Sequence, residues 1–351
     1  MQDEKSKYFP GPEVSVDNLT ILARKRIFTP IIGEFYNEFI RNGTNQTLVK
    51  ILKRIPAEHH PPILHTLTTH VTKEKPVFIY GIGVSVDTNR ASFVAASTDL
   101  LWCLSLMVDD IIDEDNFRAN IKTAWSIYGK QETYRSAEVA FRTLQDLTEE
   151  ILSPVTRQLL IETVEDSLES LENPVIRNID SDVDDISRNI DRRARFHCEY
   201  PIRALFDGRE NEEIISLAID ALFCVNRAGQ ILNDVKDLIP SQIYGRDLFA
   251  DVRSGTATIP LVMLRDASTA EERKILRELF NYANLTTKQT NWLQEFIATK
   301  LPRKEIYTLI LEGYRQFLDK MNKIVTPECF ALCQKWVDYK IRQANSLLFE
   351  K

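Results

Sequence analysis

Residues 91–115 read ASFVAASTDLLWCLSLMVDDIIDED. From Ala91 to Val108 the only charge is Asp99, and then five of the seven residues 109–115 are acidic, with no loop residue between. Asp99 and several Ser and Thr interrupt the apolar run, whereas a membrane span wants about 20 mainly apolar residues. The pattern therefore predicts a core helix over about 90–112. Asp109 and Asp113 are four apart and project from one face of that helix, about one turn from each other. Their repulsion is costly unless a cation sits between them. The helix dipole also disfavours acids at a C-terminus, so a merely solvated acidic end explains the pattern poorly. Hard carboxylate oxygens suit Mg²⁺, which takes one or two protein carboxylates and completes its shell with water and substrate phosphates.

The stretch 216–238, SLAIDALFCVNRAGQILNDVKDL, repeats the design. It is a second long apolar helix, and it closes on Asn233, Asp234 and Asp237, with Gln230 one turn back on the side of Asn233. The two acidic tips together suggest opposing walls of a cavity, apolar below and metal-bearing at its mouth. A substrate with a hydrocarbon tail and a diphosphate head would fit such a space.

The composition agrees with a helical protein. Of 351 residues, 44% are apolar and 27% charged, and only 11 are glycine. That is about half the usual share, while sandwiches and barrels need turn glycines every ~8 to 12 residues. A net charge of −7 argues against a phosphate-backbone footprint and hence against nucleic acid. The five cysteines include no CxxC pair and read as thiols of a reducing compartment, the cytoplasm. The chain opens MQDEKSKYFPGPE, without a basic region leading into an apolar run, so neither a secretory signal nor a transmembrane segment is expected.

Helical periodicity recurs along the chain. It predicts helices over 17–42, 46–54, 60–71, 90–112, 132–151, 154–172, 184–207, 211–238, 258–267, 270–282, 286–299, 302–323 and 326–348. Pro76, Gly81 and Gly83 are read as a turn before the helix at 90–112, and Gly245 and Gly255 as a loop. With no linker or repeat between them, these segments are expected to form one domain over 1–351.

The residues then reach a family. DDIIDEDNFRANIKTAWSIYG, 109–129, resembles the first aspartate-rich motif of the trans-isoprenyl diphosphate synthases, DDxxD followed by a pattern like LRRGxPT. GQILNDVKDLIPSQIYGRDLFADVRSGTATIP, 229–260, is similar to their FQxxDDxxD motif and the GKxxGxDLxEGKxTLP segment after it. TKEKPVFIYG, 72–81, resembles the KRxRP segment, and RRARFHCEYPIRALF, 192–206, the helix that begins with a Lys-Thr pair. The resemblance covers about residues 70–265. It implies an all-α isoprenoid synthase fold, a single large helical bundle around a central cavity, usually homodimeric, with three Mg²⁺ between the motifs.

The resemblance also implies roles. The set that ionises an allylic prenyl diphosphate is largely kept: Asp109 and Asp113, with Asp110 as ligand or immediate support, and Asn233, Asp234 and Asp237 at the second metal site. Arg118 matches the diphosphate-binding arginine, Arg192 falls near the lysine of the Lys-Thr pair, and Arg246 falls on the later lysine. The set that holds isopentenyl diphosphate is eroded. Ala119 and Asn120 replace the second arginine and the glycine of RRG, Thr256 replaces the lysine of GKxT, and Trp102 takes a polar or basic place. Lys73 and Lys75 remain of KRxRP, with Thr72 where its first lysine is usual.

This pattern points first to a different small-molecule acceptor, an aromatic ring such as indole-3-glycerol phosphate stacked on Trp102. The chain is similar in this to the fungal geranylgeranyltransferases of indole-diterpene and pyrone pathways in secondary terpenoid metabolism, which also combine DDxxD with NDxxD. Leu104 and Ser105 stand where bulky aromatics shorten the tail pocket, which suits a C20 tail and geranylgeranyl diphosphate. The alternatives are a chain-elongating synthase using isopentenyl diphosphate, a class I terpene cyclase, and a non-enzymatic regulatory descendant.

Other features have plainer explanations. His59, His60, His65 and His70 lack useful ligand spacing and are read as helix-surface residues. Asp180, Asp182, Asp184 and Asp185 mimic a calcium loop, but Asp185 occupies the place of its turn glycine, and N-capping explains them better. Arg192, Arg193 and Arg195 also read as a surface charge run, Tyr314 and Arg315 as a helix surface, and Cys329 and Cys333 as packing.

Overall fold

The computed structural model describes Asn37 and residues 43–69, 74–118, 121–171, 173–209, 211–239 and 248–349. The expected helix at 17–42, apart from Asn37, lies outside them, as do His70, Thr72, Lys73, Ala119, Asn120, Gly245 and Arg246. The regular structure of the described residues is helical but for two short strands, and their contacts divide into two compact units that meet in sequence between Arg157 and Gln158.

The first unit is built around one helix. Before it come α1 (Thr44–Leu52), a 3-10 turn (Ala57–His59), α2 (His60–Thr69) and α3 (Glu74–Gly83), and then the central α4 (Thr88–Ile112). A two-stranded hairpin follows, β1 (Phe117–Arg118) with β2 (Ile121–Lys122), and then α5 (Ala124–Tyr128) and α6 (Lys130–Glu149). Asp87 starts α4 by accepting the amides of Asn89 and Arg90, each at 3.0 Å. From Ala91 to Leu101 every residue is buried, because α1, α2, α3 and α6 surround the helix. The hydroxyls of Ser97 and Thr98 are satisfied inside the core by the carbonyls of Phe93 and Val94, each at 2.8 Å. α4 and the later helix Glu212–Leu238 are long and apolar enough to cross a membrane by length and composition; the most apolar window of α4 is 83% buried inside the protein.

α3 corrects the turn expected around Pro76. Proline in the first turn of a helix gives up only an amide with no intrahelical acceptor, and Val77, Phe78, Ile79 and Ile82 are buried in a helix that packs on α4. The glycines were misleading because a helix buried at all but Lys75 and Tyr80 shows no clear apolar stripe.

The second unit contains most of α7 (Pro154–Leu171), then α8 (Val183–Cys198), α9 (Tyr200–Leu205), α10 (Glu212–Leu238), α11 (Ala250–Ser254) and α12 (Ile259–Asp266). It ends with α13 (Ala270–Leu279), α14 (Thr287–Lys300), α15 (Arg303–Met321) and α16 (Pro327–Phe349). The helix expected over 184–207 is divided at Glu199, just before Pro201, whose missing amide interrupts the ladder. Capping boxes, Thr269 with Glu272 and Thr286 with Gln289, begin α13 and α14. Asp182 caps α8 by accepting the Asp185 amide at 2.7 Å, in keeping with the capping explanation of that acidic run.

α10 packs most extensively on α15, and Gly313 permits the approach. A Cβ there would lie 2.9 Å from the Ala228 Cβ and 3.1 Å from the Cys224 carbonyl oxygen. Alanine in place of a helical glycine gains about 1 kcal/mol in propensity, but overpacking a tight contact costs about 1–3 kcal/mol. Gly313→Ala is therefore expected to destabilise the protein in urea denaturation, and Ala228→Gly in the same chain to relieve the crowding. A stabilised Gly313→Ala protein would mean that the helices have room to spare.

Candidate active site

α4 changes character in its last three turns. Trp102, Ser105 and Asp109 are half-buried and Asp113 is exposed, at steps of three, four and four residues, so they form one stripe along the helix; Val108, Ile111 and Ile112 are also accessible near its end. Lys75 of α3 places its ammonium over the Trp102 ring, 3.9 Å from the centroid. The structure thus brings Lys75, Trp102, Ser105, Asp109 and Asp113 to one accessible face of the first unit. Ser105 donates to the Trp102 carbonyl at 2.9 Å. Leu104 stands on the other side of α4 and is 6% exposed, so it packs in the core rather than on the stripe that carries Ser105.

The acidic tip is closed by a hairpin. Asp110 is only 1% exposed, and Arg118 reaches back from β1 to bind it through Nε at 2.9 Å and Nη2 at 2.5 Å, with Asp109 at 3.3 Å. Burial pushes the Asp110 carboxyl up to about 6, against the downward pull of Arg118. Burial also opposes the Arg118 charge, but Asp110 and Asp109 outweigh it and hold its pKa above the ordinary value. The cation that the aspartate pair needs is thus partly supplied by the chain itself. Glu114 ends the helix in the left-handed region, at φ 56°, a conformation that costs a non-glycine residue about 1–2 kcal/mol. The Asp115 amide bonds back to the Asp110 carbonyl at 3.0 Å, and Lys130 holds Glu114 at 2.6 Å.

The second motif, in the second unit, is largely occupied with its own surroundings. Gln230 donates to Asp234 at 2.7 Å, and Lys236 donates to the Asn233 side-chain oxygen at 3.1 Å. Asp237 is buried and accepts the amides of Ala250 at 2.9 Å and Asp251 at 3.1 Å, so it anchors the N-terminus of α11. The loop expected around Gly255 therefore contains a short helix fixed to the motif.

Arg192 is engaged by α7: it binds Asp166 at 2.8 Å and Glu169 at 2.5 Å, and Arg195 pairs with Asp166 and Glu199. Of the histidines read as surface residues, the three described ones are structural. His59 and His65 are buried, with His65 bonded to the Lys122 carbonyl at 2.8 Å, while His60 bonds the carbonyls of Leu52 and Ile55 near the end of α1. Tyr314 is also buried, edge-on to Trp336 at 5.6 Å, and cannot lie on the helix surface. Sequence reasoning missed Arg177, which bonds across to the end of α11 and the segment after it; its partners Ser254 and Thr256 are 77 and 79 residues away, with no local signal.

Among the described residues no three His, Cys, Asp or Glu side chains converge to hold an ion by themselves. Asp109 and Asp113, one turn apart at an accessible tip, fit the one or two protein carboxylates that Mg²⁺ takes when substrate phosphates and water supply the rest.

Comparisons with known proteins agree with this arrangement. A family profile described as "Polyprenyl synthetase" matches residues 61–297. The geranylgeranyl diphosphate synthase of Sulfolobus acidocaldarius is 23% identical over 314 residues, which cover 83% of this chain and 91% of that one. The fold is similar to a decaprenyl diphosphate synthase from Rhodobacter capsulatus, with a TM-score of 0.74 at 15% identity over 87% of this chain and 99% of that one. It is also similar to a polyprenyl synthase from Caulobacter crescentus complexed with calcium and isoprenyl diphosphate, with a TM-score of 0.72 at 16% identity over 93% and 97%. Acidic tips on two long apolar helices, an all-α isoprenoid synthase fold and a match through both motifs lead to one assignment: the chain belongs to the polyprenyl synthetase family of prenyltransferases.

Proposed function

We propose that the protein is a Mg²⁺-dependent, chain-elongating prenyl diphosphate synthase. It ionises an allylic prenyl diphosphate and joins the prenyl group to isopentenyl diphosphate. The observation that carries this is the accessible stripe of α4, with a cation, Lys75, at its lower end and two carboxylates, Asp109 and Asp113, at its upper end. In the family match this stripe lies within the same continuous segment as the second motif. The similarity to a geranylgeranyl diphosphate synthase over 91% of that relative favours this acceptor over the aromatic one expected first.

In this proposal Asp109 and Asp113 of the first motif would hold metal, and Asn233 and Asp234 are the residues of the second motif that would do so. Bound Mg²⁺ supplies positive charge that stabilises the departing diphosphate. Asp110 and Asp237 serve as supports, since one is locked to Arg118 and the other to the α11 amides. Arg118 orients Asp109 and lends charge at the mouth. The allylic C–O bond breaks with its electron pair leaving on diphosphate, the terminal alkene carbon of isopentenyl diphosphate attacks the allylic cation, and a proton is then lost to the diphosphate. Placing the two carbons about 3–3.5 Å apart supplies much of the acceleration. Ser105 in place of an aromatic leaves room for a C20 product. Assembly as a homodimer in the cytoplasm belongs to the same proposal, as does a single domain, since the family match runs across the boundary at Arg157.

One contact favours a second acceptor. The Lys75 ammonium over the Trp102 face places a cation beside an aromatic surface, where a flat ring bearing a single phosphate would be held. Three mixtures separate these cases: Mg²⁺ with geranylgeranyl or farnesyl diphosphate alone, with isopentenyl diphosphate, and with indole-3-glycerol phosphate. A lengthened prenyl diphosphate from the second mixture is expected. A prenylated indole from the third, with no lengthening, would establish the aromatic acceptor; a cyclic hydrocarbon from the first would make the protein a cyclase.

The lock at Asp110 gives a separate expectation. Breaking a buried ion pair by removing one partner costs about 3–5 kcal/mol. Arg118→Met should lose stability on that scale in urea denaturation; a loss under about 1 kcal/mol, the scale of an exposed pair, would mean the pair is no constraint.

A further inference from the structure

We infer that Arg177 is a substrate-binding residue that presents a guanidinium to a substrate diphosphate at Thr256, where the resembling sequences carry a lysine. The inference rests on the synthase function proposed above and fills part of the cation deficit seen in the sequence.

Arg177 lies in the segment between α7 and α8, and that segment is firmly held. The Ala257 amide donates to the Ile176 carbonyl at 2.7 Å. Arg265, buried, donates to the carbonyls of Ile179 at 2.5 Å and Ser181 at 2.8 Å. Arg277 pairs with Asp180 at 2.8 Å. On this platform Arg177 donates through Nη1 to the Ser254 carbonyl at 3.1 Å and to the Thr256 hydroxyl at 3.0 Å, and through Nη2 to the Leu171 carbonyl at 3.4 Å.

Two properties suit this guanidinium to an anionic ligand. Its acceptors among the described residues are two carbonyls and a hydroxyl, all neutral, whereas Arg192, Arg195, Arg265 and Arg277 each have a carboxylate partner. Its charge is therefore oriented but not neutralised, and the residue is exposed. Three of its five N–H donors are engaged, leaving two, which suffices for a bidentate phosphate contact.

It is also tied to the second acidic motif. The Asp237 carboxylate accepts the amides of Ala250 and Asp251, and the Asp251 carbonyl accepts the Thr256 amide at 2.8 Å. Thr256, and the arginine bound to it, are thus fixed two links from Asp237. A lysine at residue 256 would reach out from the chain itself; here a short polar residue holds a longer cation brought from the 173–181 segment.

The test uses the full chain with Mg²⁺, an allylic diphosphate and isopentenyl diphosphate, each varied while the other is saturating. Arg177→Ala should raise KM for one of the two diphosphates by roughly 10- to 100-fold, the loss of one or two charged hydrogen bonds, with a smaller change in kcat. The substrate whose KM moves identifies the head group that Arg177 meets. Thr256→Lys in the Arg177→Ala chain should restore most of that loss, which a merely structural role for Arg177 would not allow. Unchanged KM values for both substrates in a variant of unaltered melting temperature would overturn the inference, as would a rise in KM that Thr256→Lys fails to reverse. If the wild-type protein elongates no substrate, the synthase proposal fails separately. Inorganic diphosphate with Mg²⁺ then serves as the probe: raising the melting temperature of wild type but not of Arg177→Ala upholds the diphosphate contact, and equal shifts in both overturn it.

Discussion

A carboxylate that is only 1% exposed, at the end of an apolar helix, is the constraint around which the first unit is arranged. Asp110 sits where the α4 dipole already repels negative charge, between Asp109 and the turn that leads to Asp115. Left alone it would be protonated or would unravel the end of the helix. The hairpin at 117–122 places Arg118 on it, and the same guanidinium reaches Asp109. One acid is thereby neutralised inside the protein, so that its neighbours Asp109 and Asp113 remain at an accessible tip. The left-handed Glu114 and its bond from Lys130 belong to the same turn: strain at one residue turns the chain sharply enough for β1 to return.

The second unit handles its acids differently. Asp237 is satisfied by backbone amides and Asp234 by Gln230, while Asn233 carries no charge and receives Lys236. Less negative charge has to be held apart here, and more of the motif serves to build the segment that follows it. That segment is then fixed to the 173–181 loop, so the rigidity of the second motif extends to residues far away in sequence. In the proposed mechanism the first motif provides most of the metal-holding charge and the second a firmly positioned platform.

The sequence made the all-helical class and both acidic helix ends legible, because each depends on local spacing: an apolar run, an acid pair four apart, a cap. α3 was hidden because a helix buried at every residue but Lys75 and Tyr80 has little polar face to set its period, and Pro76 and Gly81 resembled punctuation. The division of the 184–207 helix at Glu199 was marked by Pro201, yet the apolar pattern runs through it. At the site, Lys75, Trp102 and Asp109 were recognisable as separate residues, but the ammonium resting on the indole was not, since that pair is set by how α3 packs on α4. Arg192 and Leu104 illustrate the converse. Arg192 falls near the lysine of the Lys-Thr pair and Leu104 just before the first motif, while the structure turns one toward Asp166 and Glu169 and the other into the core. Arg177 lies outside every motif and acquires meaning only through its contact with Thr256.

The central claim is that Asp109, oriented by Arg118 beside the buried Asp110, carries metal-dependent ionisation of the substrate. The direct measurement is Mg²⁺-dependent release of diphosphate by Asp109→Asn, a substitution that keeps the size of the side chain and removes its charge, at saturating allylic diphosphate and isopentenyl diphosphate. With electrostatic stabilisation of the leaving group as the main catalytic effect, kcat should fall by roughly 100-fold or more while the folded protein persists. An Asp109→Asn enzyme that turns over within a few-fold of wild type would contradict the account.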